Sequence, residues 1–116
     1  MTGRGGAALT EEMLTWEGVT KQPHRFGGIE FQLNGKEIGH LHGNRLFDLL
    51  LLKSERDRWI EEGKASPHHM FPDSNWVSLY INSDRDVAYA VEIARFKYDR
   101  LKERQNNKME GEMRSE

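Results

Sequence analysis

Gly28-Ile-Glu-Phe-Gln-Leu-Asn-Gly-Lys-Glu-Ile-Gly-His-Leu-His42 decides the fold. Asn34-Gly35 stands between two alternating runs, the strongest short-range sign of a β-hairpin with a two-residue turn. With those two as the loop, Leu33 faces Lys36, Phe31 faces Ile38 and Ile29 faces His40. His42 then falls opposite Gly27. Residues directly opposite share a face of the sheet. Regular pairing therefore puts Ile29, Phe31, Leu33, Ile38, His40 and His42 on one side. Glu30, Gln32, Glu37, Gly39 and Leu41 lie on the other. The first side is the apolar one and is expected to face the core, with both histidines at its end far from the turn. A slip of one residue would reverse these faces.

Working outward, Val19 to Phe26 reads as an extended segment, and Pro23 places it at an edge. Before it, Thr10 offers a helix N-cap, Glu11 and Glu12 suit the first turn, and Gly18 ends the helix. Leu9, Met13, Leu14 and Trp16 can form its apolar face. Arg45 to Leu50 reads as a third strand. Ser54 with Asp57 resembles a capping box for a helix to about Glu62, with Gly63 as its stop. Residues 64–75 form a connection carrying Pro67, His68, His69 and Pro72. Trp76 to Ile81 alternates as a strand. Ser83, Asp84 and Asp86 start the longest helix, whose stripe is Val87, Val91, Ala94, Tyr98 and Leu101.

The expected architecture is α+β: an antiparallel or mixed sheet with helices on one face and a long C-terminal helix. Residues 1–8 are expected to be a flexible N-terminus, 9–104 one domain, and 105–116 a disordered tail.

Composition narrows the chemistry. The 116 residues are too few for a (β/α)₈ barrel, which takes roughly 250. Seventeen Lys and Arg against nineteen Asp and Glu leave a net charge of −2, so nucleic acid is not an expected partner. The chain has no cysteine, which excludes disulfides, thiolate catalysis and Cys-based metal sites. The apolar run Leu49 to Leu52 is far short of a membrane span. With no signal-type N-terminus, the expected location is cytoplasmic. No cofactor is predicted, and a homo-oligomer stays open.

The five histidines, His24, His40, His42, His68 and His69, are the unusual feature. His-x-His on a strand puts two rings on one side, with Cα atoms about 6.8 Å apart. Histidine is the commonest acid–base group at neutral pH and a common metal ligand. One expectation is a small-molecule or enzymatic pocket. His40 and His42 would form its catalytic floor, and His24, Arg25, His68 and His69 would bind ligand at its rim. Arg25 would clamp an anion through its planar guanidinium. Glu30 is placed on the other hairpin face unless a bulge turns it. A non-catalytic module that binds protein or nucleic acid and a histidine metal site are the alternatives. The bland reading of these histidines, as loop caps and backbone hydrogen-bonding groups, stands beside all three. Trp16, Trp59 and Trp76 read as core, Ser74 and Ser78 as weak support for a hydrolytic triad. Lys53, Arg56, Arg58 and Lys64 read as a solvated helix face.

Trp16-x-Gly18-Val19, Pro23-His-Arg-Phe-Gly-Gly-x-Glu30-Phe31, Glu37-x-Gly-His-x-His42, Leu46-x-Asp48 and His68-His69-x-x-Pro72-x-Ser74-x-Trp76-Val77-Ser78 resemble one family. It is the set of small bacterial luciferase-domain proteins, largely of unknown function. The resemblance spans roughly residues 13–101. It draws Asp48 into the ligand-binding set beside the histidines and Arg25. It implies a cofactor-independent, oxygenase-like step with histidine as base, because flavin-dependent luciferases are full barrels. Glu17 and Leu49-Leu50-Leu51 depart from the family pattern, which has proline in both places. The segment from Trp76 to Leu101 also resembles small YjbR-type α+β proteins in topology.

Overall fold

The computed structural model describes residues 5–24 and 27–114, with side chains through residue 111. The elements in chain order are α1 (Gly5–Leu14), β1 (Val19–Pro23), β2 (Ile29–Leu33), β3 (Lys36–His42), β4 (Leu46–Leu50), α2 (Lys53–Glu61), β5 (Ser66–Pro67), β6 (Trp76–Tyr80) and α3 (Asp84–Arg114). The strands form one sheet in the order β1-β2-β3-β4-β6-β5, and every neighbouring pair is antiparallel. The α+β expectation holds, with β1 and its Pro23 at an edge. Among the described residues no helix is long and apolar enough to cross a membrane.

The Asn34-Gly35 turn forms as read. Both residues have positive φ, 50° and 89°, as a type I′ turn requires. Leu33 pairs with Lys36 and Gln32 with Glu37, again as expected. Then the register slips. A bulge between Phe31 and Gln32 sets Phe31 opposite Gly39, Glu30 opposite His40 and Ile29 opposite Leu41. Ile38 is the extra residue. Glycine makes the slip feasible: a Cβ at position 39 would lie 2.8 Å from the Asp48 carbonyl oxygen and 2.9 Å from Phe47 Cζ. Beyond the bulge every side chain of β3 exchanges faces. His40 and His42 therefore leave the apolar side, and Leu41 joins it. This corrects the face assignment that regular pairing gave.

The apolar side of the sheet is covered by helices. Phe31, Ile38, Leu41, Phe47, Leu49 and Val77 meet Leu9 and Met13 of α1 and Ala90, Ile93, Ala94 and Tyr98 of α3. Phe31 and Phe47 pack edge-to-face at 6.1 Å. Leu14, assigned to the same stripe as Leu9, is exposed. Helix starts differ from expectation for local reasons. α1 begins at Gly5, and Thr10 sits inside it with its hydroxyl donating to the Gly6 carbonyl. α2 is capped two residues earlier than Ser54: Leu52 is the N-cap, and the Glu55 carboxylate accepts from its N–H at 2.9 Å. Asp57 instead pairs with Lys53 and Arg56. Gly63 does follow the helix, at φ 75°.

α3 begins as read, with the Ser83 hydroxyl accepting from the Asp86 N–H. It continues through residues 105–114, where a tail was expected. Gln105 holds it to the hairpin, donating to the Leu33 carbonyl and accepting from Asn34, each at 3.0 Å. The residues that follow are mostly good helix formers with no proline to stop them.

Lys97 lies on the buried side of α3, 5 % exposed. Burial pushes its amine down to about 8, against an opposing pull from Glu37. Folding thus disfavours the charged amine relative to the unfolded chain, and the protein carries a buried ammonium at pH 7 at a cost. That cost is fully present below about pH 8 and fades as pH rises from there to the unfolded value of 10.5. Lys97→Met is expected to stabilise the fold by up to about 3 kcal/mol at pH 7. The gain should disappear in urea titrations made above pH 10.5. An equal gain at both pH values would disprove this account.

Candidate functional site

The face of the sheet opposite the helices carries the site. The bulge puts His40 and His42 there, and alternation adds Asp48 from β4 and Trp76 and Ser78 from β6. The connection after β5 folds over this face, bringing His68 and His69. Arg56 clamps that connection from α2, donating to the carbonyls of Ser74 and Pro72, each at 2.8 Å. Sequence reading had left Arg56 on a solvated face. An open cleft of about 850 Å³ results.

Asp48 is the centre, 0 % exposed. Four imidazole nitrogens gather on its Oδ2: Nε2 of His69 at 3.1 Å, His68 at 3.2 Å, His42 at 3.4 Å and His40 at 3.7 Å. Its Oδ1 accepts from the Ser78 hydroxyl at 2.8 Å, and that hydroxyl accepts from the His69 backbone N–H. Ser78 is thus the orienting partner of a buried carboxylate, not a nucleophile beside a base.

For two of the rings, partners on the far side bear on the tautomer. His68 Nδ1 accepts from the backbone N–H groups of Met70 and Phe71, both at 3.1 Å, so its proton sits on Nε2, turned toward Asp48. Burial also lowers its pKa, against the pull of Asp48, which keeps the ring neutral. His40 is the reverse. Its Nδ1 stands 2.8 Å from Glu37 Oε2 and donates to it, which leaves Nε2 turned toward Asp48. His42 has a lowered pKa, first from burial and then from the neighbouring His40, against the pull of Asp48.

Around this floor the walls are mixed. His24 stacks on His40 with centroids 4.2 Å apart, and Trp76 lies 5.3 Å from the same ring. Phe71 stacks on His68 at 5.4 Å, and Met70 stands beside it. Gln22, Gln32 and Glu30 line the opposite side.

The structure brings together six of the seven residues singled out from sequence: His24, His40, His42, Asp48, His68 and His69. The seventh, Arg25, lies outside the described residues. Glu37 and Glu30 had been assigned to the face away from His40, and the bulge brings His40 over to theirs. Its sequence signal was Gly39, since an isolated glycine inside a strand marks a bulge. Trp76 had read as core but borders the cleft. Its alternation with Ser78 was the available sign, once Asp48 was known to be paired with that strand.

No curated protein and no solved structure matches the chain. A family match does exist, to the Luciferase domain, over residues 35–97. It takes in Glu37, His40, His42, Asp48, His68, His69 and Ser78, and stops short of β1 and His24. The weaker C-terminal likeness to YjbR-type proteins gains no support from it. Matched over more than half its length, from the hairpin turn to Lys97, the chain belongs to the Luciferase domain family.

Proposed function

We propose that the chain is a small-molecule-binding enzymatic domain whose reaction centre is the imidazole cluster on Asp48. One observation carries this reading: a fully buried carboxylate with four imidazole nitrogens within 3.7 Å, at the floor of a cleft. Burying a carboxylate is costly, and an apolar replacement of similar shape is often neutral or better for stability. Such clusters gather where chemistry needs them. His40 and His42 present Nε2 to the reaction centre. His68 and Ser78 hold the carboxylate in place.

The cleft volume falls within the usual range for small-molecule sites, about 300–1,000 Å³. Trp76 and Phe71 supply flat apolar walls, while Glu30, Gln22 and Gln32 offer hydrogen bonds. That pairing fits a small, largely planar molecule bearing hydroxyl or carbonyl groups.

The test is a ¹H–¹⁵N NMR titration of untagged protein with phenol and benzamide as probes. Shifts should concentrate at the Trp76 indole N–H and at backbone amides 40–42 and 68–71. Trp76→Ala should weaken binding by about tenfold, in keeping with the loss of one large aromatic contact. Shifts confined to another surface, or none at millimolar probe, would reject the reading in favour of an interaction module.

A further inference from the structure

We infer that this cluster holds a divalent first-row transition-metal ion, with His40 Nε2, His42 Nε2 and Asp48 Oδ2 as the protein ligands. The inference rests on the reading of the cleft as the reaction centre and names the ion that centre would hold.

The first argument is distance. His42 and His40 stand 3.4 and 3.7 Å from Asp48 Oδ2. These separations exceed the usual N–H···O hydrogen bond, about 2.7–3.2 Å. They suit two donors sharing one ion. Metal bonds of about 2.0–2.2 Å put neighbouring ligands about 2.9 Å apart at a right angle and about 3.4 Å apart at the tetrahedral angle. The ligand atoms of this triad all lie within 4.8 Å of one another.

The second argument is placement. His40 donates through Nδ1 to Glu37, so Nε2 is the ring atom left to face Asp48 Oδ2 and the cleft. The third is support from behind. Glu37 on His40 Nδ1 is the carboxylate–histidine arrangement that orients metal-binding imidazoles. Ser78 fixes the other oxygen of Asp48. His68 is excluded as a ligand, because its Nδ1 is occupied by two backbone N–H groups and its Nε2 carries the proton.

Two imidazoles and one carboxylate leave the remaining coordination positions facing the cleft. Sites of this composition suit zinc, iron(II) and related ions and accept an oxygen donor from substrate or water.

The experiment uses untagged full-length protein, stripped with EDTA and moved to chelator-free buffer, then titrated with Co²⁺ while visible d–d absorption is followed. One equivalent should bind and be displaced by Zn²⁺. His42→Ala should weaken Co²⁺ affinity by more than about 100-fold, and Glu37→Gln by about 10-fold, the usual range for an outer partner. His24→Ala should cost far less than His42→Ala, since His24 is not one of the three proposed ligands. Circular dichroism of each variant confirms folding, and Glu37→Gln keeps the test alive if His42→Ala unfolds. The inference is overturned by the absence of a visible band at millimolar Co²⁺. It is also overturned by binding that survives His42→Ala but is lost in His24→Ala, which would move the ion to His24, Glu37 and His40. Repeating the phenol and benzamide titration on stripped protein separates the two readings. Probe binding without cobalt binding removes the metal alone, and loss of both removes the cleft as a site.

Discussion

Asp48→Asn is expected to empty the metal site while leaving the sheet folded. Asparagine has the same shape, and its oxygen can still accept from the Ser78 hydroxyl, which stands 2.8 Å from Oδ1. What changes is the other position. An NH₂ group replaces the oxygen on which the four imidazoles converge. It carries no charge and offers no lone pair to a cation. Removing an outer partner already costs a metal site 10–100-fold, so losing a charged ligand should cost Co²⁺ affinity more than about 100-fold. Stability should move little, because two effects oppose. A buried charge is removed, which helps. A new N–H then faces the His68 Nε2 proton at 3.2 Å, a mismatch of about 1–2 kcal/mol. Cobalt titration paired with a urea melt of the stripped protein checks both halves. Retained cobalt affinity would remove Asp48 from the ligand set.

Gly28→Ala should cost the fold about 3–5 kcal/mol, placing it among the largest single-substitution effects. Two penalties coincide there. The residue has φ +83°, where an L side chain costs about 1–2 kcal/mol. A Cβ would also fall 2.2 Å from the Leu41 carbonyl oxygen, 3.2 Å from its carbon and 3.4 Å from His42 Cα. All three are backbone atoms and cannot rotate aside, so β2 and β3 must separate locally. The turn closed by His24 N–H to Gly28 O and Gly27 N–H to His24 O would shift with them, carrying His24 off the His40 ring. Gly27→Ala is the internal control. Its φ is +92°, but nothing lies within 4 Å of an added Cβ, so only the conformational penalty of about 1–2 kcal/mol applies. Urea unfolding of the two variants should differ severalfold in lost stability. Equal losses would mean that the close approach at position 28 is not a packing constraint.

Some of this was legible in the residues. Asn34-Gly35 announced its turn because few dipeptides tolerate two positive φ angles. Ser83 announced the start of α3 because its hydroxyl can accept from an orphan N–H. Thr10 and Ser54 carried the same chemistry and were not used, because α1 had already started at Gly5 and α2 was capped at Leu52 with help from Glu55. A capping side chain offers a hydrogen bond. Which of several offers is accepted depends on where packing begins the helix.

The sequence by itself determined the antiparallel hairpin, the α+β class and five histidines as the candidate site, to which the family resemblance added Asp48. The hairpin and the class follow from local backbone preference, and the candidate site from residue chemistry. The tertiary structure alone decided which way the histidines face. One bulged residue, tolerated because Gly39 has no side chain to drive into Phe47 and Leu49, turned His40 and His42 from the core to the open face. The convergence of four imidazoles on Asp48 was likewise beyond local reading. It joins β3, β4 and the connection before β6, and that meeting is set by the pairing of the whole sheet and by the Arg56 clamp on residues 72 and 74.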